Sequence, residues 1–537
     1  MLTKFNTFIN NITMYRLVIY GLTALAATAI TLSLFQLIPF GPLPYIYSLL
    51  TLSITTFIGE TVFAKIFKAP NNKESAIITT LILFLIMFPI LSLTDFYTLI
   101  AASLIATASK YIFSFHQKHI FNPAASAAVI LGILGSGNIS WWIATPYLFI
   151  PTLIVGLLVV KKIRRFPLFL TFLAVSLFTA ITFNLITNTI APEKIPSLIK
   201  EMLLSWPLIF FGAIMLTEPS TTPPQKTTQI IYAALVGIIS NLKFNLGPIF
   251  STPELALLLG NIFSYTYSFK HKLALTFTKV EKLAENIYEF TFAANHRAKF
   301  QAGQYMEWTL PHDKPDNRGI RRYFTISSAP ENKEIKLGIK VNTPSSSFKQ
   351  ALQNIKPGSK VYGAQVSGDF VLPHPRNFYP EGRSKGVRCD VSSNVSNRSV
   401  QPVREDSMRA KNAADDIFSE PLVFIAGGIG ITPYISMLRH LIHKHQKDKT
   451  LPVPKITLIY CTKSANEIAY KDLIETATKV LGLKFIPLVN ERITQDMITN
   501  GIYYLSGPSA MVDSYKALLK NAKIHSSNIR TDYFPGF

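Results

Sequence analysis

Two adjacent arginines open the run "RRYFTISSAP" (321–330), which alternates like a β-strand and ends in hydroxyl side chains and a proline. A guanidinium is a planar, always-charged fork of donors, suited to a phosphate or diphosphate. A second chemical signal is "FIAGGIGITPY" (424–434), an apolar strand running into Gly427, Gly428 and Gly430, then Thr432 and Pro433, then a helical pattern. Glycines let the backbone approach a pyrophosphate, and a helix N-terminus adds N–H donors and a favourable dipole. Pro433 suits a first helical turn, where its missing N–H costs nothing. Two further stretches are rich in hydroxyls at element starts: "TPSSSFKQAL" (343–352) and "YYLSGPSAMV" (503–512).

The elements that must carry these groups divide the chain. From about residue 272, short alternating runs such as "KLALTFTKVEKLAENIYEFTFAA" predict a small antiparallel β-barrel over 272–373. From 418 to 537, apolar strands alternate with helical patterns, as in a parallel α/β sheet. Residues 374–417 between them are polar and poor in apolar side chains; they read as a disordered insertion, and Cys389 within it as an incidental thiol.

Residues 1–270 are different. The whole chain has 537 residues, 49% of them hydrophobic, with a mean hydropathy of +0.28, and the apolar excess lies before residue 270. Stretches near the length that covers a ~30 Å hydrocarbon core recur there. They predict an all-α polytopic membrane bundle of about ten spans: 15–37, 44–64, 75–93, 96–115, 123–137, 145–160, 167–188, 203–217, 229–246 and 253–268. No small-residue cleavage site follows the first stretch, which therefore reads as a retained span. Lysines after the second and fourth stretches and "KKIRR" (161–165) after the sixth alternate with nearly uncharged loops. The positive-inside rule then places both termini and everything after residue 270 in the cytoplasm of a multi-pass cell-membrane protein.

The formal net charge of +22 fits an anionic lipid surface; no basic run is interleaved with aromatics as in a nucleic-acid binder. Cys389 and Cys461 are the only cysteines, which excludes a disulfide framework and a four-cysteine iron–sulfur or zinc site. Before residue 270 the only histidines are His116 and His119, too few for two bis-histidine haems. Two polar motifs interrupt the apolar half, "HIFNPAASAA" (119–128) and "MLTEPSTTPP" (215–224). The residue before proline is pushed out of the α region, so both are helix breaks, either plain turns or the lining of a buried site.

The order "RRYFTISSAP", "AGGIGITP" (426–433), "YYLSGPSAMV" resembles the ferredoxin–NADP reductase family, and "DYFPGF" (532–537) is similar to the C-terminal signature of its bacterial members. The resemblance covers 272–373 and 418–537. It implies an FAD-binding barrel, a nicotinamide-dinucleotide domain using NADH or NADPH, and hydride transfer to the flavin. The family's Arg-x-aromatic-hydroxyl pattern carries over to Arg322 on the FAD diphosphate, Phe324 on the isoalloxazine, Thr325 near its N5, and Ser328. Starting at Arg321 instead puts Phe324 where a hydroxyl is needed. Ser346 and Ser347 correspond to the helix start under the diphosphate. Gly427, Gly428, Gly430, Thr432 and Pro433 correspond to the dinucleotide turn. Ser506, Gly507 and Pro508 match the loop beside the nicotinamide, with Ser506 where the family has cysteine. Phe534 would cover a flavin face, and Lys463 reads as a solvated lysine within reach of an adenosine 2′-phosphate.

"KYIFSFHQKHIFNPAA" and "MLTEPSTTPP" resemble a membrane component of the sodium-pumping NADH:quinone reductase and its counterpart in the Rnf complex. Glu218 stands where that family has aspartate, and its flavin-bearing Ser-Gly-Ala-Thr is missing. FMN or riboflavin in the membrane domain is thus only a candidate. The acceptor expected is a quinone, a flavin or a carrier protein. The rival expectation is a transporter or channel with a redox-sensing reductase domain, with Glu60 as its one ionisable residue well inside a span.

Overall fold

The computed structural model describes residues 12–67, 73–115, 118–136, 139–247, 249–267, 273–313, 315–316, 320–373 and 420–532. The 374–417 insertion, His116 and Phe534 lie outside them.

The N-terminal half is helical. Among the described residues, four helices are long and apolar enough to cross a membrane: α1 (Met14–Leu34), α2 (Pro42–Ile66), α6 (Pro146–Ile163) and α7 (Phe166–Ile186). Their outward faces keep large apolar side chains exposed, such as Leu50, Ile54 and Phe57 on α2 and Phe178 on α7. Serine, threonine and Glu60 are buried between helices. That inverts the pattern of a water-soluble bundle.

Of the expected ten spans, these four are borne out among the described residues, or five if one bent pair is a single span. That pair, Pro192–Leu204 and Leu208–Met215, bends by 55° around Ser205–Pro207, where the proline cannot donate to the preceding turn. Helices α3 (Lys73–Ile86), α5 (Pro123–Ile133), α9 (Lys226–Ile239) and α10 (Pro253–Tyr267) are shorter than a bilayer crossing needs; α5, at 11 residues, covers about 17 Å. Helix α4 (Leu93–Ile112) has the length, but Asp95 and Lys110 lower its apolarity. Helix α8 (Ile195–Leu204) is the first arm of the bent pair.

Glu60 is buried, and it receives Lys110 Nζ at 3.3 Å and Tyr111 Oη at 3.0 Å from α4. The charge is thus neutralised within the helix pair.

The next unit is a six-stranded antiparallel sheet. In chain order its strands are β1 (Leu273–Ala284), β2 (Ile287–Ala294), β3 (Tyr305–Thr309), β4 (Arg321–Thr325), β5 (Glu334–Lys340) and β6 (Lys360–Ser367). Their spatial order is β4-β3-β6-β1-β2-β5. The barrel expectation is met only in part. Among the described residues no ladder closes β4 onto β5, although Ser327 N–H donates to Lys336 O at 2.9 Å just beyond β4. The inner face packs Phe277, Phe290, Phe292, Met306 and Trp308 under helix α11 (Ser347–Gln353), whose Phe348 is fully buried.

The C-terminal unit is a five-stranded parallel sheet in the order β9-β8-β7-β10-β11: Lys484–Val489, Ile456–Thr462, Leu422–Gly427, Ile502–Ser506 and Ile529–Thr531. The strands are nearly continuous in β-branched and aromatic residues, as a sheet covered on both faces requires. Helices α12 (Thr432–Lys447), α13 (Lys471–Leu481) and α14 (Ser509–Asn521) connect them. The strand order reverses between β7 and β10, and ligands in such sheets bind outside the strand ends at that reversal.

Candidate functional site

Strand β4 distributes its side chains by alternation. Opposed residues of an antiparallel pair share a face, so Arg322 sides with Trp308 and Phe324 with Met306, while Tyr323 sides with Glu307 and Thr325 with Tyr305. Arg322 is therefore directed toward α11. Its guanidinium is 5.5 Å from the Phe348 ring centroid, and Phe324 packs at 5.7 Å on the same ring.

An anion already marks this corner. Asp316 accepts Arg322 Nη2 at 2.8 Å on one oxygen and Ser347 N–H at 3.2 Å on the other. The Asp316 N–H in turn donates to Ser347 Oγ at 2.8 Å, and His312 Nε2 lies 3.1 Å from that hydroxyl. Ser346 caps α11 by accepting Lys349 N–H. A guanidinium and a helix N-terminus thus converge on one carboxylate, the donor set a diphosphate also uses. On the opposite face the buried Thr325 hydroxyl has no hydrogen-bond partner among the described residues, a cost a fold seldom leaves uncompensated. Both features suit a flavin dinucleotide.

Two of the expected ligands have protein partners of their own. Ser328 accepts Lys336 N–H at 3.2 Å, and its carbonyl receives Ser436 Oγ at 2.7 Å from α12, so it acts as a strut between the two sheets. Phe324, leaning on Phe348, is on the arginine's face rather than on the face of Thr325. Lys463 is exposed, as expected.

At the ends of β7 and β10 the glycine-rich turn and the 506–508 loop are in contact. A Cβ on Gly430 would lie 2.5 Å from Ser506 O and 2.7 Å from Gly507 Cα, so only glycine permits this approach. Gly428 takes a left-handed φ of 53° just before α12, where Thr432 and Pro433 form the first turn. Ser506 is buried and donates to Asp532 Oδ2 at 3.0 Å. Gly430→Ala must push the 506–508 loop away, and the expected result is a rise in KM for the dinucleotide of roughly tenfold or more, since displacements near 1 Å cost that much and beyond. Steady-state kinetics with a soluble dye as acceptor measures it.

The two sheets are locked together by groups sequence reasoning did not single out. Arg439 of α12 makes a two-pronged pair with Glu289, 2.9 Å on each oxygen, and also reaches Ser327 O at 2.9 Å. Ser327 Oγ donates to Glu289 at 2.8 Å, and Lys336 lies 3.5 Å away. Burial by itself would raise the Glu289 carboxyl, but Arg439, Ser327 and Lys336 outweigh it and hold it below the usual carboxylate range.

In the apolar half the two helix-breaking motifs meet. Asn122 caps α5 by accepting Ala125 N–H, and its amide donates to Glu218 at 2.8 Å. Ser220 donates to Glu218 at 2.6 Å, and His119 Nε2 lies 3.1 Å from Ser220 Oγ and 3.6 Å from the carboxylate. Asn261 of α10 accepts Asn122 N–H at 3.0 Å and donates to Tyr232 Oη at 3.2 Å. Burial disfavours the Glu218 carboxylate, yet bonds from His119, Ser220 and Asn122 prevail and lower its pKa. The motifs are therefore one polar cluster rather than two plain turns. It lies toward the reductase half: Ser367 Oγ of β6 donates to Pro224 O at 3.4 Å, and Lys226 pairs with Asp369. Arg165, which donates to Thr217 O at 2.9 Å, is close enough for its charge to act on Tyr305 and Tyr323 of the sheet.

Residues 274–370 match the family described as "Oxidoreductase FAD-binding domain", and residues 419–486 match "Ferric reductase NAD binding domain". Among curated relatives, "Ferric reduction oxidase 2" of Arabidopsis thaliana is 48% identical over 62 residues, 12% of this chain and 8% of that protein. "NADH-cytochrome b5 reductase 2" of Homo sapiens is 26% identical over 216 residues, 38% of this chain and 66% of that one. "2-halobenzoate 1,2-dioxygenase electron transfer component" of Burkholderia cepacia is 27% identical over 133 residues, 22% of this chain and 37% of that one. The chain thus spans at most 66% of these relatives. Among solved structures, flavohemoglobin from Malassezia yamatoensis with bound FAD and heme matches at TM-score 0.39 and 13% identity, covering 69% of this chain and 97% of that one. Ferredoxin-NADP+ reductase from Plasmodium falciparum with 2′P-AMP matches at TM-score 0.36 and 17% identity, covering 49% and 97%. The chain carries an FAD-binding and a nicotinamide-binding oxidoreductase domain behind a helical half with four or five apolar helices.

Proposed function

We propose that this chain is a membrane-bound oxidoreductase that takes reducing equivalents from NADH or NADPH at a cytoplasmic FAD site and delivers them to an acceptor in or at its membrane half. When bound, FAD accepts hydride from the nicotinamide and releases electrons to a second acceptor. The residues do the positioning. Arg322 and the N-terminus of α11 hold the diphosphate once Asp316 gives way, Thr325 offers its hydroxyl to the ring, and Gly427, Gly428 and Gly430 let the dinucleotide approach α12. Ser506, oriented by Asp532, borders the nicotinamide.

The observation that supports the membrane step is the contact between halves: Arg321 of β4 lies 5.7 Å from the Tyr15 ring centroid, Ser367 of β6 donates to Pro224 O and Lys226 pairs with Asp369. A quinone, a membrane-held flavin (FMN or riboflavin) or a carrier protein are the acceptor classes. The His119–Glu218–Asn122 cluster supports a family likeness to the membrane components of quinone reductases, with Glu218 in the aspartate's position. Glu60, paired with Lys110 and hydrogen-bonded by Tyr111, needs no transport role.

Purified full-length protein in detergent tests this. Anaerobic NADH or NADPH should bleach the flavin absorbance, and acid precipitation should release one FAD per chain. In vesicles, reoxidation by a short-chain quinone should proceed without a soluble carrier. Reoxidation by water-soluble dyes alone would remove the membrane step from the proposal.

A further inference from the structure

We infer that Tyr15, Arg321 and Glu307 form a clasp that fixes the FAD-binding sheet on the membrane half, with Arg321 as a positioning residue. Arg321 is the arginine for which the sequence suggests no partner. Alternation along β4 turns it away from α11 and toward Glu307, whose Oε1 lies 3.5 Å from its Nη1. The Glu307 side chain is only 4% exposed and also accepts Tyr323 Oη at 2.9 Å. A carboxylate so deeply placed depends on its cation, because leaving one charge buried alone is strongly destabilising.

The same guanidinium lies 5.7 Å from the ring centroid of Tyr15, in the first turn of α1. A partly desolvated cation over an aromatic face is attracted by the ring quadrupole. One side chain therefore joins the edge strand of the FAD-binding sheet to the first helix of the membrane half. Two further contacts cross the same boundary, Ser367 with Pro224 and Lys226 with Asp369. The ion pair between Lys226 and Asp369 is mostly exposed, and such pairs contribute little. The Arg321 side chain is less exposed than either member of that pair.

Strand β4 also carries Arg322 and Thr325, so the clasp sets where the flavin site stands relative to the membrane. The contact itself does not depend on the proposed electron route; its consequence for catalysis does.

The test uses the full chain in lipid nanodiscs. Tyr15→Leu opens the clasp from the membrane side and leaves Glu307 its cation; Arg321→Ala opens it from the sheet side, and Arg321→Lys restores charge. The expected result is faster amide exchange in 305–309 and 14–20 for Tyr15→Leu and Arg321→Ala. For Tyr15→Leu, which leaves Glu307 its cation, FAD content and ferricyanide reduction should stay within about twofold of the parent, while short-chain quinone reduction drops about tenfold, an effect of misplacement. Arg321→Lys should recover part of the quinone rate. Unchanged exchange in both opening variants would overturn the clasp. Faster exchange with undiminished quinone reduction would keep the clasp and the electron route but overturn the positioning role; a parent chain that reduces ferricyanide but no quinone would overturn the electron route instead. An equal drop in ferricyanide and quinone rates would overturn the positioning role alone.

Discussion

Arg322→Ala is expected to leave the purified chain with little FAD, whereas Arg321→Ala keeps it. The guanidinium removed makes charge-assisted bonds worth about 2–3 kcal/mol, so FAD should bind roughly 30- to 150-fold more weakly. The flavin-to-protein absorbance ratio after size exclusion reads the difference, and titration of the stripped protein with FAD gives the Kd. Arg322→Lys retains the charge but not the planar fork of donors, and should fall between. The contrast rests on alternation along one strand, with Arg322 on the α11 side and Arg321 on the Tyr15 side. Equal flavin loss in both alanine variants would place the diphosphate on the other face and shift the binding register by one residue.

The second large effect lies between the sheets. Glu289→Ala leaves the Arg439 guanidinium, Ser327 and Lys336 without their shared acceptor in a buried site. Breaking a buried pair from one side costs about 3–5 kcal/mol. For a unit of this size that is a drop of roughly 10 °C in Tm, measurable by scanning calorimetry. Acid should act in the same direction. The folded carboxyl is held below its unfolded value near 4.3, so its contribution is complete at neutral pH, declines below about pH 5 and is gone once the folded form protonates. Glu289→Gln should flatten that part of the pH profile. A pH profile of stability unchanged between the parent and Glu289→Gln would show that other carboxylates govern the acid limb.

The reductase half was largely legible because its signals are local. Alternation marked the strands of 273–294, and a glycine-rich turn before Thr432–Pro433 marked the dinucleotide end. The pairing of Arg322 with α11 was legible only through the resemblance. Asp316 was not legible, since its partner Ser347 is 31 residues on and nothing in either stretch names the other. Glu289 and Arg439, 150 residues apart, were hidden for the same reason. In the membrane half, hydropathy found the apolar stretches but not their geometry. A window average does not register that Pro207 bends a span or that α5 stops after 11 residues. The breaks at Asn122 and Glu218 were visible as prolines; that they face each other is a tertiary fact.

The clasp also has a history within each molecule. Tyr15 leaves the ribosome long before Arg321, and chains elongate at about 5–20 residues per second. The first membrane helix must therefore insert and wait, its aromatic ring facing an unfilled place, until the edge strand of a later domain folds beneath it. Arg321 closes a very long loop at a late moment in synthesis. A newly made chain whose membrane half is complete but whose sheet is not would still lack that contact.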